Sequence, residues 1–142
     1  MDPAFWDSSA LVPLCVTQPS SSLVRQLSVN YRIHVWWSAP VEMKSAFARL
    51  VRMGQLTRLE WSDAQRVLVF LRDNWHEIQP SQSLRDEAEA FVDRFQLRGA
   101  DAQQLAAAYV WAVGRPTGRV FISGEVQLLE AARQLGFQAI PA

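Results

Sequence analysis

The chain has 142 residues, 49% of them hydrophobic and 20% charged, which excludes a disordered segment and suits a single domain over residues 1–142 with its own core. Fourteen basic residues balance fourteen acidic ones, so no net field points to a polyanionic or polycationic partner. No apolar run approaches the ~20 residues of a membrane span, and Cys15 stands alone, which excludes an internal disulfide and a cysteine-based zinc site. The start, Met1-Asp2-Pro3, lacks the basic n-region of a signal peptide, so a cytoplasmic location is expected.

In chain order, Ala4 to Trp6 is a short apolar run suited to a central strand. Ser8 or Ser9 is then placed to cap a helical turn that Pro13 restricts. Gln18 to Ser22 is a break, after which Ser22 or a neighbour caps a short helix with Leu23, Val24 and Leu27 on one face. Tyr31 to Trp37, rich in β-branched and aromatic residues, reads as a strand whose Trp36 and Trp37 point to opposite faces. Pro40 fits the first turn of the following helix, with Ser38 as its cap. Met43, Phe47 and Leu50 stripe that helix, and Gly54 ends it.

Ser62 with Gln65, and Ser83 with Asp86, read as capping boxes opening two helices. The first is striped by Ala64, Val67, Leu68, Leu71 and Trp75, the second by Leu84, Ala88, Phe91 and Phe95. His76 to Gln79 is a short strand between them. Asp101 opens an alanine-rich helix to Val113, and Gly114 to Gly118 is a loop. A strand at Val120–Ile122, a helix at Val126–Leu135 and a strand at Phe137–Ile140 complete the chain. Strand and helix alternate throughout, which implies an α/β fold with a mainly parallel sheet covered on both faces.

On this order four acids stand where an apolar run gives way to a helix: Asp7, Glu42, Asp101 and Glu125. Strand C-termini of an open α/β sheet gather at one edge, so acids distant in sequence can meet there. Clustered carboxylates repel unless a cation sits among them, and hard divalent cations prefer oxygen ligands. The pattern is that of a metal-dependent phosphodiesterase. A single acid in a first helical turn is also favoured by the helix dipole, so the inference rests on the four together. Without those four, the bases outnumber the remaining ten acids by four, and all but Lys44 are arginine, the residue suited to bidentate phosphate or carboxylate pairing. Arg49, Arg52 and Arg58 cluster near the end of one helix, and Arg49, Arg52 and Trp37 are candidate contacts to RNA or a partner. There is no Gly-Xaa-Ser-Xaa-Gly elbow, and His34 and His76 read as structural, so a serine hydrolase is not expected. A receiver-like domain would need paired acids after its first strand and a downstream lysine, which Lys44 does not supply.

With its acids so placed, the chain resembles the PIN-domain nucleases, in particular the VapC-like toxins of type II toxin–antitoxin pairs. The likeness lies in Phe5-Trp-Asp7-Ser-Ser-Ala-Leu-Val12, Val41-Glu42-Met-Lys-Ser-Ala-Phe-Ala48, Leu97-Arg-Gly-Ala-Asp101-Ala-Gln-Gln-Leu-Ala106 and Val120-Phe-Ile-Ser123-Gly-Glu125. The resemblance implies a three-layer α/β/α sandwich and a metal-dependent endoribonuclease using Mg²⁺ or Mn²⁺. It also implies a homodimer inhibited by a cognate antitoxin. Carried over, Asp7, Glu42 and Asp101 match the metal-site acids. Because Mg²⁺ takes only one or two carboxylates directly, Asp7 and Asp101 are the expected direct ligands, and Glu42 is expected to orient or deprotonate the attacking water. Ser9 and Ser123 match the supporting hydroxyl residues. The fourth acid, usually aspartate, is Glu125 here, which leaves a catalytically degenerate PIN-like module binding RNA or protein as the alternative.

Overall fold

A computed structural model describes all 142 residues. Five strands, β1 (Asp2–Trp6), β2 (Tyr31–Trp36), β3 (His76–Ile78), β4 (Val120–Ser123) and β5 (Gln138–Pro141), form one sheet in the order β3-β2-β1-β4-β5. Every pairing is parallel. The chain steps outward from β1 to β2 and β3, then returns to the other side of β1 for β4 and β5. The reversal between β1 and β4 leaves a crevice at their carboxyl ends, the place where such sheets bind ligands.

Seven helices cover the sheet: α1 (Ser8–Cys15), α2 (Ser21–Asn30), α3 (Ala39–Arg52), α4 (Arg58–Asn74), α5 (Gln82–Phe95), α6 (Gly99–Trp111) and α7 (Val126–Leu135). Strand alternation divides the interior in two. Ala4, Trp6, Val35, Val120 and Ile122 face a core shared with α1 to α4. Phe5, Trp36 and Phe121 face a second core shared with α5, α6 and α7. The result is the expected three-layer α/β/α sandwich. Each fully buried large apolar side chain contributes about 1.5–3 kcal/mol. The two ion pairs of the fold, Arg66–Asp63 and Arg133–Glu130, are surface pairs one helical turn apart and contribute well under that. Packing, not charge pairing, holds the molecule.

Helix starts differ from the sequence expectation in several places. The first capping box is Thr57 with Glu60, so α4 begins at Arg58 and Ser62 lies inside it. Thr57-Arg-Leu-Glu60 meets the same spacing rule as Ser62–Gln65, and it is the box that forms. Likewise Ser81, not Ser83, accepts the Leu84 amide and caps α5. Ser20, not Ser22, precedes α2, and α6 starts at Gly99, leaving Asp101 inside its first turn rather than at its head. Asp7, not Ser8 or Ser9, occupies the N-cap position of α1. Ser38 does precede α3, with Pro40 in the first turn, but its hydroxyl bonds a side chain instead of a backbone amide. Trp37 falls just beyond β2, and Phe137 just before β5. Gly54 follows α3 at a φ of +72°, the left-handed conformation expected of a residue that ends a helix.

Candidate active site

Asp7, Glu42, Asp101 and Glu125 line one cleft of about 270 Å³ together with Ser8, Ser9, Gln18 and Arg49. Four segments deliver them: the end of β1, the first turn of α3, the first turn of α6 and the residue before α7. All four acids singled out in the sequence thus stand along one cleft.

Asp7 lies deepest, almost fully buried. Its side chain does not cap α1. One carboxylate oxygen instead accepts from Ser9 Oγ at 2.5 Å and from Ser123 Oγ at 2.9 Å. Those hydroxyls are themselves fixed by backbone amides, Ser9 Oγ by Gly124 N–H at 2.9 Å and Ser123 Oγ by Glu125 N–H at 3.0 Å. A Cβ on Gly124 would stand 3.4 Å from Ser9 Oγ and 3.2 Å from the Ala142 carbonyl, so a larger residue there would press on this corner of the site. Burial pushes the Asp7 carboxyl up to about 6, opposed by the two serines and reinforced by Glu42 and Asp101.

Glu42 is raised from its ordinary range by burial and by Asp101, against the donors that hold it. These are Ser38 Oγ and the Gln104 side-chain amide, which reaches both carboxylate oxygens at 3.1 and 3.3 Å. Asp101 is raised by burial first and by the nearby Glu125 second, with Arg98 opposing. Glu125 is exposed at the N-cap position of α7, and its side chain makes no cap there. No arginine or lysine forms an ion pair with any of the four.

No three of these side chains converge tightly enough to form a complete coordination shell. The donor set nonetheless fits Mg²⁺ or Mn²⁺, since Mg²⁺ takes one or two carboxylates and keeps most of its waters. The Asp7 carboxylate is buried and its hydrogen-bond partners are the neutral hydroxyls of Ser9 and Ser123.

Of the other candidates, Arg49 stands on the cleft wall, two helical turns beyond Glu42. Arg52 is exposed and outside the cleft lining. Trp37, half exposed, lines a separate and mainly apolar groove of about 620 Å³ against α5. Sequence reasoning missed Gln104, Ser8 and Ser38. The available signal for Gln104 was its place three residues after Asp101, on the same helical face.

No family model matches the chain. Two curated relatives from Mycobacterium tuberculosis, Ribonuclease VapC45 of strain CDC 1551 / Oshkosh and Ribonuclease VapC49 of strain H37Rv, are each 31% identical over 147 residues. Each alignment spans 97% of this chain and 94% of the relative. Among solved structures, PAE2754 from Pyrobaculum aerophilum superposes with a TM-score of 0.65 at 18% identity, over 97% of this chain and 89% of that one. VapBC2 from Rickettsia felis, bound to a DNA fragment from their promoter, gives 0.65 at 10% identity over 97% and 98%. A toxin–antitoxin complex from Klebsiella pneumoniae gives 0.60 at 17% identity over 86% of each chain. At these identities the structural likeness bears on the fold.

Proposed function

The chain belongs to the VapC family of PIN-domain ribonucleases, and from that membership we propose that it is a metal-dependent endoribonuclease restrained by a cognate antitoxin. The observation that carries the reading is the meeting of four carboxylates from four segments in one cleft, with no basic side chain paired to any of them.

Asp7 and Asp101 are the residues that would hold Mg²⁺ or Mn²⁺. The ion supplies, when bound, a water of lowered pKa and positive charge for the developing oxyanion. Glu42, fixed by hydrogen bonds from neutral groups, orients the attacking water and takes its proton. Ser9 and Ser123 hold the Asp7 carboxylate in place. Glu125, one methylene longer than the usual aspartate and free in solvent, meets the site through water. Arg49 offers the cleft wall a positive charge for an RNA phosphate, while Arg52 and Trp37 are placed for contacts beyond the cleft. A toxin–antitoxin complex among the structural neighbours supports the antitoxin partner. The family further supports a cytoplasmic homodimer built from one domain over residues 1–142, and no helix is long and apolar enough to cross a membrane.

Labelled RNA incubated with the purified protein is expected to be cleaved in Mg²⁺ and left intact in EDTA. Cleavage of equal rate in both would remove the metal from the account. No cleavage in either would favour a binding module.

A further inference from the structure

Gln104 is the largest polar side chain in the molecule with no exposed surface at all. It stands on the buried side of α6 among Ala102, Leu105, Ala106, Ala107 and Ala108. Its amide nitrogen lies 2.9 Å from Ser8 Oγ and 3.1 and 3.3 Å from the two Glu42 oxygens. The two amide hydrogens are thereby spent, one on Ser8 and one shared across the carboxylate. The amide oxygen has no partner. A buried carbonyl without a donor is unfavourable, and a methionine of similar length would avoid it. The core therefore retains an amide where packing alone would favour a thioether.

The donors explain what the amide does. Glu42 hangs from the first turn of α3, and a glutamate carboxylate at a cleft wall has three free torsions. Ser38 Oγ holds it from the residue that precedes its own helix, and Gln104 holds it from α6. Donors on two separate elements fix both position and plane. Because both are neutral, they hold the carboxylate without neutralising it, as an arginine would. Asp101 stands one turn earlier on the same helix, so α6 presents a direct acid and the clamp of a second acid as one rigid unit.

We propose that Gln104 is a positioning residue that orients the Glu42 carboxylate toward the attacking water. This rests on the ribonuclease reading above. Gln104 touches neither RNA nor metal in this role and acts only through Glu42.

The test is Gln104→Met in the full-length protein, assayed with Mn²⁺ on a labelled RNA. Loss of a residue that orients a site group typically lowers activity by about 10- to 100-fold. The expected result is a fall in kcat of that size, with KM for RNA and the Mn²⁺ affinity measured by calorimetry both within about twofold, and a melting temperature within ~3 °C of wild type. In a Glu42→Ala background the same substitution should add nothing, since its partner is already gone. An unchanged kcat, a loss shared by kcat and stability alike, or a further tenfold loss beyond Glu42→Ala would each overturn the proposal. A readout that needs neither activity nor the Met variant is exchange of the Gln104 side-chain amide protons by NMR. They should be protected in the wild type and lose protection in Glu42→Ala. Equal protection in both proteins would overturn the clamp even if RNA is cleaved. If the wild type cuts no RNA but the protection pattern holds, the failure lies with the ribonuclease reading and not with the geometry.

Discussion

Asp7→Asn should abolish RNA cleavage while making the metal-free protein more stable at neutral pH. The two effects have one cause. The Asp7 carboxyl is buried and pushed from 3.8 to about 6, with no cation to offset the cost of its charge. A shift of that size corresponds to roughly 3 kcal/mol at 1.36 kcal/mol per unit. The folded state holds the proton more tightly than the unfolded chain. Stability from this group is therefore greatest in acid and falls as pH rises from 3.8 toward 6, staying low above that. Asparagine keeps the shape and an oxygen for Ser9 and Ser123 but carries no charge. It should raise the melting temperature of the metal-free protein by roughly 5–10 °C at pH 8, a gain that shrinks as pH falls through 6 and is gone near pH 4. Cleavage should fall by roughly a thousandfold or more, because metal charge stabilisation is worth several kcal/mol in the transition state. Thermal melts across that pH range, with and without EDTA, decide it. A gain over the wild type no larger at pH 8 than at pH 4 would show that the buried charge is already compensated.

Divalent metal should act on stability in the opposite way. With Mn²⁺ at about a hundredfold above its dissociation constant, a single site adds about 2.7 kcal/mol to folding, or roughly 5–10 °C. Binding requires Asp7 ionised, so the shift should be large at pH 8 and weak below the Asp7 value of about 6. Asp7→Asn and Asp101→Asn should lose the response. A shift of equal size in those variants would place the ion elsewhere.

The parts of this account that the sequence carried are those governed by alternation and by the sheet edge. Phe5 between Ala4 and Trp6, and Phe121 between Val120 and Ile122, divide between two cores because a strand has two faces. Asp7 follows β1 directly and Glu125 follows β4 after Gly124, so their common edge could be foreseen from the β/α order alone. Helix starts were less legible, since Thr57–Glu60 and Ser62–Gln65 satisfy one spacing rule and only the folded context chooses between them. Gln104 was hidden for another reason. A glutamine in an alanine-rich helix reads as solvent-facing, and nothing local marks a carboxylate sixty-two residues away as its partner. Trp37 reads as a candidate contact to RNA or a partner by its aromatic character, and just beyond β2 it lines a groove against α5, apart from the acidic cleft.

The most direct measurement is anomalous scattering from a crystal grown or soaked with Mn²⁺. The account predicts a peak in the cleft between the Asp7 and Asp101 carboxylates, with Glu42 reached through water. A saturated crystal showing those side chains ordered and no peak between them would contradict it.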